Sequence, residues 1–136
     1  MTIEPSTLRF TETHEWVAVQ GDTIRIGISE YWQDRLSDIT HVELPEPDDH
    51  HYEEGEDMGV VESLEIAADF HAPLAGVIVA INSALLATPE LINSDPYGAG
   101  WIAEMQPDNL SDVDDLLDFD EYDAALPDDI GGEDEE

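Results

Sequence analysis

Apolar and polar residues alternate on both sides of Gly21-Asp22 in "HEWVAVQGDTIRIGIS". Trp16, and then Ile24, Ile26 and Ile28, fall at strand spacing around a glycine-containing turn, which predicts a hairpin. "SEYWQDRLSD" predicts a helix of roughly two turns with Ser29 as N-cap. Its apolar positions Tyr31, Trp32 and Leu36 are expected to face the core. "ITHVELP" predicts a strand that stops at Pro45, and "EPDDHHYEEGED" a polar loop closed by Gly55.

Strands are predicted again at Met58 to Ser63, Ala67 to Ala72 and Gly76 to Ile81, separated by a tight tip, Leu64-Glu65-Ile66, and by "PLAG". "NSALLATPELINSDPYGAG" carries Pro89 and Pro96, so it holds only short helical turns. "GWIAEMQP" reads as the last strand, with Trp101 and Ala103 facing one way and Ile102 and Glu104 the other. Pro107 ends it. "SDVDDLLDFDEYDAAL" then reads as one helix, with Ser111 as N-cap and Asp114 at the third helical position. Val113, Leu116 and Leu117 form its apolar stripe. Asp112, Asp114 and Asp115 lie in its first turn, where the helix dipole favours negative charge.

Many short strands with regularly spaced turns and a closing helix predict a mainly β domain, a small barrel or sandwich. The chain has 136 residues, enough for one domain with a real core. Residues 1–7 read as a flexible leader, 8–126 as the domain, and 127–136 as a disordered acidic tail.

Charge changes the picture. Thirty-five acidic residues stand against three basic ones, Arg9, Arg25 and Arg35, for a net charge of −32 and no lysine at all. Such a chain repels nucleic acid and anionic bilayers, which sets both aside as partners. Acidity spread over every segment also suits a salt-rich cytoplasm. Without cysteine there are no disulfides or thiolate metal sites. No stretch reaches the length of a membrane span, and "MTIEPSTLRF" has no signal-peptide character. A cytoplasmic protein is expected.

Several motifs, in order, resemble the H protein of the glycine cleavage system. They are "THEWV" (Thr13 to Val17), "IGISEYWQDRLSDI", "VELP" (Val42 to Pro45), "VVES" (Val60 to Ser63), "AAD" (Ala67 to Asp69), "PLAGVIVAIN", "ATPELINSDPYGAGWI" and "LSDVDDLLDFDEYDAAL". Together they cover roughly residues 8 to 126. The resemblance implies a lipoyl-domain-like fold, a flattened β-barrel of the barrel-sandwich-hybrid kind, with short flanking helices and a C-terminal helix.

It also implies a carrier rather than an enzyme. Such proteins hold a lipoyl group in amide linkage on a lysine at the hairpin tip. They shuttle the aminomethyl group of glycine from glycine decarboxylase to aminomethyltransferase, and dihydrolipoyl dehydrogenase reoxidises the arm. Those enzymes, or lipoate-attaching enzymes, are the partners implied, and a monomer is expected. The family pattern at the tip is roughly V-E-S-V-K-A. This chain reads Val61-Glu62-Ser63-Leu64-Glu65-Ile66, so Glu65 stands where the resemblance implies the lipoyl lysine. A carboxylate cannot be acylated into an amide, and no lysine elsewhere offers a shifted register. No cofactor is expected.

By the same resemblance, Thr13, Glu15 and Asp69 match the surface onto which a loaded arm folds back. Glu62 and Asp69 flank the tip as recognition acids, with Leu64 and Ile66 beside it. Leu64 and Ile66 at an exposed tip point either to a contact surface or to one of them folding back on the strand face. Three readings follow: a non-lipoylated binding module, a degenerate or structural paralogue beside a lysine-bearing H protein, and, remotely, an enzyme using the tip carboxylates.

His50-His51 lies in an acidic loop but lacks a spaced ligand motif, so it reads as solvated rather than metal-binding. His14 is expected to pack or hydrogen-bond. His41 and His71, single histidines on strands, read as structural, and Trp16, Trp32 and Trp101 as packing residues.

Overall fold

A computed structural model describes residues 7–44, 51–64 and 66–126. Within them the chain forms β1 (Arg9–Phe10), β2 (Glu15–Gln20), β3 (Thr23–Ile28), α1 (Glu30–Leu36), β4 (Ile39–Glu43), β5 (His51–Tyr52) and β6 (Asp57–Ser63). There follow β7 (Ala67–His71), β8 (Gly76–Ile81), α2 (Ala84–Ala87), α3 (Leu91–Ser94), β9 (Ala103–Pro107), β10 (Leu117–Asp118) and α4 (Phe119–Ala125). The strands make one seven-stranded sheet, ordered β10-β1-β2-β3-β9-β8-β5, and one three-stranded sheet, β4-β6-β7. All pairings are antiparallel. This is the mainly β, flattened two-sheet architecture expected, with its sheets unclosed.

The main core lies between the sheets. Ile24, Ile26 and Ile28 of β3 meet Val42, Val61 and Phe70 of the smaller sheet, all essentially inaccessible to solvent. The alternation of apolar residues along β3 is what aims its isoleucines at one face. β2 departs from simple alternation, because Glu15 to Ala18 are all buried. Val17 faces the main core, while Trp16 and Ala18 enter a second cluster with Leu8, Phe10, Tyr97 and Tyr122. There the Phe10 and Tyr122 rings stack with centroids 4.4 Å apart, and the Trp16 indole N–H donates to the Pro96 carbonyl at 2.9 Å.

The predicted hairpin across Gly21-Asp22 is present, with Gly21 at φ +63°. Ser29 caps α1 by accepting from the Trp32 N–H. Leu36 is buried, while Tyr31 and Trp32 are half-buried. The Pro-punctuated stretch holds only the short α2 and α3, as expected.

Three local expectations are corrected. The single helix over "SDVDDLLDFDEYDAAL" is instead a 3-10 turn (Leu110–Asp115), the strand β10 and then α4. The edge of β1 takes Leu117 and Asp118 as its ladder partners, which forces that backbone to extend. Asn109, not Ser111, caps the turn, so Asp114 is not at a third α-helical position. Asp118 caps α4 in a reciprocal capping box with Glu121.

"GWIAEMQP" is not the last strand, and its alternation does not reach back through Trp101: Ile102 and Ala103 are both fully buried. Trp101 instead lies beneath the Arg25 guanidinium, 4.5 Å from the ring centre, and Arg25 also pairs with Glu104 at 2.7 Å. The predicted polar loop contains the short strand β5, which pairs with β8 because the Tyr52 ring has a buried site to fill. Pro45, His50, residues 1–6 of the leader and the tail 127–136 lie outside the described residues. No helix among the described residues is long and apolar enough to cross a membrane.

Candidate functional site

β6 and β7 form the predicted hairpin, in register Glu62↔Ala67, Val61↔Ala68, Val60↔Asp69 and Gly59↔Phe70. Strand alternation sends Val61 and Phe70 into the core, and puts Glu62 and Asp69 together on the outer face. Gly59 is required by close approach: a Cβ there would stand 2.1 Å from the Glu43 carbonyl oxygen and 2.7 Å from the Phe70 ring.

The tip is closed by Ser63. Its N–H donates to the Ile66 carbonyl at 2.8 Å, and its hydroxyl oxygen accepts from the Ile66 N–H at 3.2 Å. Leu64 is 80 % exposed and Ile66 46 %. Glu62 is half-buried, with its carbonyl accepting from the Thr40 hydroxyl, and Asp69 is exposed. Glu65 itself lies outside the described residues.

Behind the hairpin base stands Glu15, a carboxylate with no solvent exposure. One of its oxygens accepts from the hydroxyls of Thr11 and Thr13. The other accepts from the His71 backbone N–H at 2.8 Å and lies 3.1 Å from His71 Nδ1. His71 Nε2 in turn faces Asp57 Oδ1 at 3.2 Å. Burying a carboxylate is costly unless its lone pairs are filled. Here they are filled from the turn before β2 and from β7, so Glu15 fastens the base of the hairpin to the larger sheet.

The three arm-docking candidates are therefore not equivalent. Thr13 lines a cleft of about 360 Å³ with Thr11, Glu12, Glu54, Ala72 and Pro73, among others. Glu15 is enclosed by its own hydrogen bonds. Asp69 stands on the outer face of β7, apart from the residues that line the cleft. Sequence reasoning did not foresee the Thr11 and His71 contacts to Glu15, or Asp57 beside His71. The T-x-T-x-E spacing of Thr11, Thr13 and Glu15 is a local signal for the first of these. The other two depend on pairing between strands distant in sequence.

His14 has the left-handed backbone φ of 80°. Its Nδ1 is 2.7 Å from the Tyr122 hydroxyl, which is 2.7 Å from the Ser29 hydroxyl. This chain of contacts ties the turn before β2 to α4 and to the cap of α1. Burial lowers the His14 pKa, opposed by the nearby Glu15 charge, and burial pushes the Tyr122 phenol far up. His51 is paired through both nitrogens, Nε2 with Asp108 at 2.6 Å and Nδ1 with Glu53 at 3.3 Å. The hydrogen bond to Asp108 raises its pKa. The two carboxylates stand on opposite sides of the ring, which does not make a chelate. No group of three or more His, Asp or Glu among the described residues could hold a metal ion.

All three arginines serve internal contacts. Arg9 donates to the Leu116 carbonyl, Arg25 binds Glu104 and Trp101, and Arg35 lies over the Tyr31 ring at 5.0 Å.

The family model for the glycine cleavage H-protein matches residues 8–129. The chain is 49% identical to the glycine cleavage system H protein of Acinetobacter baylyi over 122 residues, 90% of this chain and 98% of that one. It is 50% identical to the H protein of Thermus thermophilus, over 86% of this chain and 91% of the relative. A probable glycine cleavage system H protein of Haloarcula marismortui is 46% identical over 87% of this chain and 92% of its own length. Among solved structures, the glycine cleavage system H protein of Mycobacterium marinum superposes with a TM-score of 0.80 at 36% identity, covering 89% of this chain and 97% of that chain. The two-sheet fold, the hairpin and the agreement over nearly the whole length lead to one conclusion: the chain belongs to the glycine cleavage H-protein family.

Proposed function

We propose that this chain is an H-protein homologue that carries no lipoate and acts as a protein-binding module in glycine cleavage or lipoate handling. The carrying observation is the absence of lysine from all 136 residues. The family's arm is joined through an amide, and an amide needs an amine nucleophile. At the tip the side chains available are Leu64, Glu65 and Ile66, of which none is an amine. The residues present therefore do not fit a lipoyl attachment, and no step of aminomethyl transfer is assigned to this chain.

What supports a retained binding role is the number of contacts that hold the hairpin in place. Ser63 closes the tip, Gly59 lets β4 and Phe70 pack against β6, and Glu15 fastens the base. The partners in this reading are glycine decarboxylase, aminomethyltransferase, dihydrolipoyl dehydrogenase or a lipoate-attaching enzyme. The chain binds them as a module and is not itself an enzyme.

Intact mass after incubation with lipoate and lipoate ligase tests the first half. The mass is expected to stay that of the unmodified chain, and a lipoyl adduct overturns the reading. Glu65→Lys is the complementary variant. It is expected to become lipoylated and to support glycine cleavage with the other components, which shows that only the attachment point is missing. Failure of glycine decarboxylase and the other three enzymes to bind the unmodified protein counts against a binding module and favours a relic.

A further inference from the structure

The hydrogen bonds that join Ser29, Tyr122 and His14 have a direction. The Ser29 hydroxyl is buried, and its oxygen accepts from the Trp32 N–H at 3.2 Å. Among the described residues, the only acceptor for its hydrogen is the Tyr122 oxygen, 2.7 Å away. Buried donors are rarely left unpaired, so Ser29 donates to Tyr122. The Tyr122 hydrogen then goes to His14 Nδ1, also at 2.7 Å. The reverse order would strand the Ser29 hydrogen. Nδ1 is therefore an acceptor, and a neutral imidazole must carry its hydrogen on Nε2. Burial, opposed by the Glu15 charge, lowers the His14 pKa, and burial raises that of Tyr122, so both rings are neutral near pH 7.

No group among the described residues accepts from His14 Nε2. The residue lines a cleft of about 280 Å³ with Glu12, Leu117, Tyr122, Ala125 and Leu126, between the turn before β2 and the β10–α4 segment. Glu12 is exposed, and its carboxylate has no partner among the described residues. The cleft thus offers one oriented donor and one free acceptor beside apolar walls.

We infer that this cleft binds a small uncharged carboxamide with a short apolar chain, its carbonyl accepting from His14 Nε2–H and its N–H donating to Glu12. The site is separate from the hairpin tip and does not depend on the binding-module reading. The ligand class follows from the inventory of donors and acceptors. Nε2–H only donates and a carboxylate only accepts, and an amide supplies the complement of both on neighbouring atoms. A carboxylate ligand would bring a second negative charge against Glu12. An ammonium would have no lone pair for Nε2–H. Leu117, Ala125 and Leu126 remove an alkyl chain from water. The volume lies just below the range of roughly 300–1,000 Å³ that suits drug-sized molecules, so the ligand is small.

The probe is hexanamide, with hexanoate and hexylammonium as comparators of equal chain length. Each is titrated into the full-length ¹⁵N-labelled protein in molar potassium chloride, which screens general attraction of a cation to the acidic surface. Imidazole spectra of the free protein are expected to show His14 as the Nε2–H tautomer. Hexanamide is expected to shift the signals of Glu12, His14, Leu117 and Leu126 with a Kd of roughly 1 mM, and the two ions to bind at least about tenfold more weakly. Glu12→Ala, at an exposed position, is expected to weaken hexanamide about fivefold and to narrow its margin over hexanoate. Tyr122→Phe keeps the ring and removes the hydroxyl. It is expected to leave His14 a mixture of tautomers and to weaken hexanamide, and a melting curve confirms that it folds. Hexanamide that shifts none of the cleft residues, or wild-type His14 as the Nδ1–H tautomer, overturns the site. Either ion binding as tightly as hexanamide overturns the ligand class. A folded Tyr122→Phe protein that binds hexanamide unchanged overturns the oriented donor.

Discussion

Glu15 shows how far a single residue's role departs from its type. In a chain so rich in acids, a glutamate is expected at the surface. This one is fully enclosed, and its four contacts join the turn before β2 to β7. Two histidines illustrate opposite electrostatics. His14 is half-buried beside Tyr31, Trp32 and Tyr122, and loss of hydration lowers its pKa below the ordinary histidine value of 6.5. The unfolded chain therefore binds a proton first, and this residue subtracts stability as pH falls below about 6.5. His51, on the surface, is raised by its bond to Asp108. Its contribution is complete below the unfolded value and is lost as pH rises through the folded one. Proton NMR titration of the imidazoles is expected to place His14 below an ordinary histidine and His51 above it. Asp108→Asn should return His51 toward the ordinary value. The reverse order of the two midpoints would contradict the environments described.

At the scale of elements, the smaller sheet depends on one absent side chain. β6 is its middle strand, and Gly59 lies directly against the Glu43 carbonyl and the Phe70 ring. Gly59→Ala is expected to cost about 3 kcal/mol, because backbone on one side and a buried ring on the other must both move. Gly21→Ala is a different kind of change. Nothing lies within 4 Å of its added carbon, but φ is +63°, so the cost is conformational and about 1 kcal/mol. Urea unfolding of the two variants measures the contrast; equal losses would show that Gly59 is not tightly packed. The end of the domain makes the complementary point. Residues with a helical pattern become strand at Leu117–Asp118 because the edge of β1 is open and the ladder satisfies it.

For the molecule as a whole, a net charge of −32 works against the compact state through self-repulsion. Each of the three arginines is committed to an internal contact, so the carboxylates repel one another across the surface. The screening length falls from about 10 Å at 0.1 M salt to about 3 Å at 1 M. The melting temperature is therefore expected to rise steadily from low to molar potassium chloride, and a flat profile would refute self-repulsion as a limit on stability. The same charge repels nucleic acid and anionic bilayers.

The amino-acid sequence by itself determined the class of fold, the β2–β3 and β6–β7 hairpins, the cap of α1 and the absence of any lysine. These depend on side-chain periodicity, local turn chemistry and residue identity, all of which act over a few neighbouring positions. Tertiary structure decided that Glu15 is buried against His71, that β2 is covered on both faces, that Tyr52 draws a strand into an acidic loop and that the final helix is interrupted. Each of those outcomes is set by a partner dozens of residues away, and ladder pairing or burial against such a partner outweighs the local preference of the segment. The tip joins the two levels. Its residues are plain in the sequence, but that Leu64 and Ile66 are exposed to solvent, outside both core clusters, is visible only in three dimensions.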